Sequence, residues 1–111
     1  HALIPKTWVQ EDHNVQCSLV KGDSMDPTLP GGSIVAIDFD KRTVENGNIF
    51  VLKWGKKVII RRVVLQDSYL LLCPDNADKK KYPIEVCSLK KAKSAKDNPI
   101  LGKVIWAMTK G

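Results

Sequence analysis

Ser24 lies within Gly22-Asp23-Ser24-Met25-Asp26-Pro27-Thr28-Leu29, and Pro30-Gly31-Gly32 follows directly. Gly22 and Asp23 are turn formers, and Pro27 has no N–H to donate, so no long helix can run through 24–26. The pattern predicts a strand, a tight turn, one short helical turn, a loop and a second strand. A serine at the head of such a turn sits beside unsatisfied backbone N–H groups. Two roles fit. The hydroxyl could be a nucleophile with an oxyanion site at hand. It could equally cap the turn, as serine does at many helix starts.

The elements that must hold this serine are mostly strands. Val15, Cys17 and Leu19 alternate with Gln16 and Ser18, a half-buried strand leading into the turn. Residues 33–38 form a short buried strand leaving it. The charged stretch 40–48 ends in the turn signal Glu45-Asn46-Gly47-Asn48. Residues 49–53 and 57–65 are rich in β-branched and apolar types and make a hairpin through Trp54-Gly55-Lys56. Arg61 and Arg62 are neighbours on its second arm, so they point to opposite faces. They must have different surroundings, such as a groove or a charged partner for one and solvent for the other. Residues 69–73 form a further strand, which Pro74-Asp75-Asn76 breaks. Residues 82–86 read as an edge strand, since Pro83 is tolerated there. Residues 90–98 suit a loop or a frayed helix. Pro99 opens a last strand over 100–108, with Gly102 placed for a bulge and Val104-Ile105-Trp106-Ala107-Met108 reading as an apolar edge. Seven or eight short strands with almost no helix define a mostly β fold, a small twisted, partly closed barrel or sandwich. Residues 1–14 read as an extended arm or linker and 15–111 as the domain.

The 111 residues suffice for one domain with one core. The net charge of +6 permits a nucleic-acid partner without establishing one. The lysines are clumped at 79–81 and at 90, 91, 93 and 96, with no aromatic between them. They suit a solvated face better than a base-stacking platform. The three cysteines, Cys17, Cys73 and Cys87, include no C-x-x-C pair, which argues against a disulfide framework or a structural zinc. His13 and Cys17 lack further ligands and read as a surface histidine and a small core residue. No metal or cofactor is expected, and a reducing cytoplasm suits this cysteine usage. No apolar run approaches the ~20 residues of a membrane-spanning helix, so no membrane partner is expected. No signal peptide is visible, and a start at His1-Ala2 suggests a fragment.

Taken together, the blocks form an ordered series. It runs from Gly22-Asp23-Ser24-Met25-Asp26-Pro27-Thr28-Leu29 with Pro30-Gly31-Gly32 to Asn46-Gly47-Asn48-Ile49-Phe50-Val51 and Val58-Ile59-Ile60-Arg61-Arg62-Val63. Asn76, Tyr82-Pro83-Ile84 and Gly102-Lys103-Val104-Ile105 complete it. In order and spacing, from about residue 15 to 109, this resembles the C-terminal domain of LexA and the phage repressors, the self-cleaving serine peptidase-like family. Bacterial signal peptidases share the short serine block but need a membrane anchor. The resemblance implies a small β domain that dimerises a repressor, forming a homodimer that binds operator DNA through an N-terminal helix-turn-helix domain. It also implies intramolecular cleavage by a Ser/Lys dyad, prompted in the family by the RecA filament of the SOS response.

On that resemblance Ser24 takes the nucleophile position and Arg61 the position of the general-base lysine. The departure has a physical consequence. Lysine starts near pKa 10.4 and can be brought to about 7–8 for roughly 3–5 kcal/mol. Arginine starts above 12 and needs roughly 6–9 kcal/mol for the same poise. Guanidinium is also donor-only. Lys57 lies four residues before Arg61 on the same face, about 13 Å along a strand, too far to substitute. Lys53, on the other arm, remains open. Upstream, Val9-Gln10-Glu11-Asp12 stands where phage repressors often carry Val-Gln-Ala-Gly, with two acids in place of the scissile Ala-Gly pair. Two Gly-Asp turns of the family are Gly32-Ser33 and Gly47-Asn48 here.

Three functions follow. The first is a regulatory and dimerisation module with cleavage lost or impaired. The second is a self-cleaving serine peptidase with another base. The third is a plain β domain in which Ser24 only caps a turn.

Overall fold

The computed structural model describes residues 14–109. Seven strands and one short helix follow in order. They are β1 (Val15–Leu19), β2 (Ile34–Asp38), β3 (Ile49–Trp54), β4 (Lys57–Gln66), β5 (Tyr69–Cys73), β6 (Glu85–Ser88), α1 (Leu89–Lys93) and β7 (Ile100–Met108). All pairings are antiparallel, in the order β1-β2-β7-β3-β4-β5-β6. The fold is mostly β, as the sequence predicts, in one open sheet whose end strands β1 and β6 do not pair with each other.

The sheet carries apolar cover on both faces, and β3 shows why. Phe50 and Leu52 pack with Val63, Leu70, Leu72 and Ile100, and Ala92 of α1 joins that core. Val51 between them faces the other way, onto Val20, Met25, Leu29, Val35 and Ile37. Alternation along a strand sends neighbours to opposite faces, so a strand buried on both sides reads as a continuous apolar run. Met25 and Leu29 belong to the serine turn. Its cover over the second core is therefore built by residues flanking Ser24.

The hairpin matches expectation. Trp54 pairs with Lys57, and Gly55 at φ +62 makes the two-residue turn, a conformation glycine adopts without penalty. Gly102 also does what a bulge residue should. The β3–β7 register shifts beside it, and a Cβ there would lie 2.8 Å from Ile37 Cγ2 and 2.9 Å from the Asp38 carbonyl.

Several expectations are corrected. β7 lies inside the sheet between β2 and β3, not at an edge. What its apolar tail exposes is side-chain surface, at Ile105 and Met108, rather than unpaired backbone. Cys17 is exposed rather than a core residue, and Leu19 is 62% exposed, because β1 is an end strand with β2 as its partner. The last edge strand starts at Glu85, later than residue 82, so that Pro83 precedes it. The 90–98 stretch holds the five-residue helix α1, capped by Ser88, whose hydroxyl accepts from Lys91 N. Residues 24–28 form turns rather than a helical turn. Two bonds close them, Asp26 N to Asp23 O at 3.1 Å and Leu29 N to Met25 O at 2.8 Å.

Candidate functional site

The serine turn is clamped at its base. Val20 N donates to Ser33 O at 2.8 Å and Gly32 N to Val20 O at 2.9 Å. Gly31 passes so close that a Cβ on it would meet Gly22 O at 2.8 Å, a contact real side chains do not make. The buried Ser33 hydroxyl donates to Pro30 O at 2.6 Å. On the far side, the loop after β5 holds the turn. Asn76 N donates to Ser24 O at 3.0 Å, and Asn76 Nδ2 to Asp23 O at 2.8 Å. The Tyr82 hydroxyl donates to the Asp23 carboxylate. That bond holds the Asp23 carboxyl below its ordinary pKa and pushes the Tyr82 phenol up.

The structure brings Ser24 and Arg61 together. Pairing of β4 with β5 begins only at Arg62, opposite Cys73, so residues 57–61 pair with β3 alone. Along this margin Arg61 Nη1 donates to Ile60 O at 2.7 Å and to Ser24 Oγ at 3.1 Å. The Arg61 Nε is buried and has no hydrogen-bond partner among the described residues. Burial pulls the guanidinium below its ordinary pKa, while Glu85 and Tyr82 pull it back up. An arginine so placed stays protonated near neutrality.

Arg62 takes the opposite environment, as the strand alternation requires. Its Nε and Nη2 grip Asp75 Oδ1 and Oδ2 at 3.0 and 2.8 Å, and Nη1 reaches Gly47 O at 2.8 Å. This two-pronged pair ties the 45–48 turn to the loop that carries Asn76. It also sets a pH dependence. The bond from Arg62 holds the Asp75 carboxyl below its ordinary range. A depressed folded-state pKa stabilises above the unfolded value, about 3.9, and that stability is lost as pH falls through the lower folded value. Arg62 is 35% exposed, so with solvent screening the contribution is about 1 kcal/mol. Acid titration of the melting temperature should therefore fall below about pH 4, and Asp75→Asn should flatten part of that fall. Glu45, depressed by its bond from Lys103, supplies another part.

A groove of about 500 Å³ runs from Ser18–Ser24 to Lys57–Arg61. Leu19, Val20, Val58 and Ile59 line it, with Ser24, Arg61 and Tyr82. Lys57 and Lys21 line it too. Sequence spacing set Lys57 aside as too far along the strand from Arg61, and it missed Lys21, which lines the groove just after β1. Lys53 lies instead in a separate groove of about 400 Å³ with Trp54 and Pro99. Asn76 and Tyr82 were legible as blocks of the family pattern, but their hydrogen bonds to the serine turn were not. Val9-Gln10-Glu11-Asp12 lies outside the described residues. Among the described residues, no cluster of three metal-ligating side chains occurs, and no helix is long and apolar enough to cross a membrane.

Ser24 and a basic side chain thus meet at the wall of a groove on an open β sheet. Residues 1–105 match the Peptidase S24-like family, and the chain belongs to it. Over 72 residues it is 29% identical to the 26 kDa repressor protein of Escherichia phage HK022. That stretch covers 65% of this chain and 31% of the repressor, so the chain matches about a third of its relative's length. The resemblance to the C-terminal domains of LexA and the phage repressors therefore holds.

Proposed function

We propose that this chain is the C-terminal regulatory and dimerisation domain of a phage-repressor-like or LexA-like transcriptional regulator, with the peptidase fold kept and self-cleavage lost or impaired. The observation that carries this reading is the 3.1 Å bond from Arg61 Nη1 to Ser24 Oγ. Ser24 is the nucleophile position and Arg61 the general-base position. The base position donates a hydrogen bond to the hydroxyl, where a base would accept one from it. Guanidinium has no acceptor to offer, so the serine stays neutral and no acyl intermediate forms. The test is incubation of the chain at pH 9–10, read by mass spectrometry. The chain should stay intact. Self-cleavage that Ser24→Ala abolishes would overturn the reading.

A second reading is an active peptidase with a different base. Lys21 favours it, since it lines the same groove as Ser24. In that case the alkaline incubation shows cleavage, and Lys21→Gln removes it.

Association is the other half of the proposal. Leu19, Ile34 and Met108 stand opposite one another across β1, β2 and β7, and so share a face. Cys17, Ala36 and Trp106 form the next row. Leu19 and Met108 are exposed there. An apolar face of this kind suits a two-fold partner. Sedimentation should show dimers at high micromolar concentration, and Met108→Lys should shift them toward monomer. Only monomer in the unaltered chain counts decisively against it. Operator DNA is then read by a helix-turn-helix domain N-terminal to this one. This domain alone should show no sequence-selective DNA binding at physiological salt, because phosphate attraction carries no sequence information.

A further inference from the structure

Resting on that reading of the groove, we propose that it binds an extended acidic segment of a separate polypeptide, with a side-chain carboxylate seated at Arg61. The groove lies between two margins of backbone. Among the described residues, β1 is an end strand and residues 57–61 of β4 pair with β3 alone. An extended peptide can add to such margins by main-chain hydrogen bonds, leaving side-chain pockets to set preference. The walls are apolar at Leu19, Val20, Val58 and Ile59 and cationic at Lys21, Lys57 and Arg61. The acid that lines it, Asp23, is already engaged by Tyr82. Glu85 influences Arg61 but does not line the groove. Arg61 Nη1 donates to Ser24 and Ile60, Nε is shut away from solvent, and among the described residues no carboxylate forms an ion pair with the guanidinium, so its charge is left for a ligand to neutralise. A carboxylate is the ligand a guanidinium fork fits best.

The charge is spread along the trough, not focused at one point. Lys57 and Arg61 are about 13 Å apart along β4. One terminal carboxylate could engage only one of them. A segment with acids at i and i+4, and apolar residues between, engages both.

The probe is a labelled peptide, acetyl-Val-Glu-Val-Val-Val-Glu-Val-amide, read by fluorescence anisotropy against the 1–111 chain at low salt. It should bind at least about tenfold tighter than its Gln isostere, and salt should weaken it. Arg61→Gln should remove most of that preference, and Arg61→Lys should keep much of it. Lys57→Gln, on an exposed residue, should reduce it with no change in the melting curve. Equal binding of both peptides, or a preference that survives Arg61→Gln in a folded variant, overturns the proposal. So does tighter binding of an all-apolar peptide with a free C-terminal carboxylate. Mass spectra of the same mixtures keep the two readings apart. Cleavage of the bound peptide refutes the loss of catalysis and leaves the acidic preference standing. An intact chain that ignores the acidic peptide does the reverse.

Discussion

Arg61→Lys should turn Ser24 from a bystander into a nucleophile. The substitution replaces a donor-only group with one that can lose a proton when buried. The strand and its hydrogen bonds to β3 stay as they are, and Arg61 already reaches the serine hydroxyl. A positioned general base is worth roughly 10²–10⁴-fold in rate. The readout is cleavage of a peptide carrying Ala-Gly, supplied in trans and followed by mass spectrometry. Trans supply matters because this chain has no Ala-Gly dipeptide of its own. The rate should climb about tenfold per pH unit until the lysine titrates, because only its neutral form is a base. Ser24→Ala in the same background should abolish it. If the folded variant is silent up to pH 10, or the unaltered chain cleaves equally fast, arginine is not what holds the serine idle.

Phe50→Ala should be the most destabilising of the single changes considered. Phe50 is completely buried, packs in the first core, and stands directly opposite Arg61 on β4 and Lys103 on β7. Truncation removes transfer energy and leaves a cavity, costing ~3–5 kcal/mol. For a domain of this size that lowers the melting temperature by at least roughly 12 °C. Arg61 is the direct cross-strand neighbour of Phe50, so acidic-peptide affinity should fall together with stability. Urea and thermal melts check the first effect. A loss under ~1 kcal/mol would show that the core collapses around the gap, as well-relaxing sites can.

The sequence by itself determined the strand-rich class, the hairpin with its glycine turn, the bulge at Gly102 and the serine block. These are local. Period-two alternation, a glycine at positive φ and a proline without an N–H act over a few residues, so they can be read in place. It also determined that Arg61 and Arg62 face different environments, because strand geometry allows nothing else. Only the tertiary structure decided that β7 runs through the interior of the sheet, that Cys17 is exposed, and that Lys21 shares a groove with Lys57 while Lys53 does not. Each depends on which strands become neighbours, and apolar patterning alone does not specify that order. An end strand and an inner strand can carry the same residues. The meeting of Ser24 with Arg61 is of this kind. It needs the turn pinned over one core by Met25 and Leu29, held by Asn76 from a loop 50 residues away, and set against a margin of β4 that β5 does not cover. Contacts between residues so far apart in the chain are set by packing and hydrogen-bond satisfaction across the whole domain.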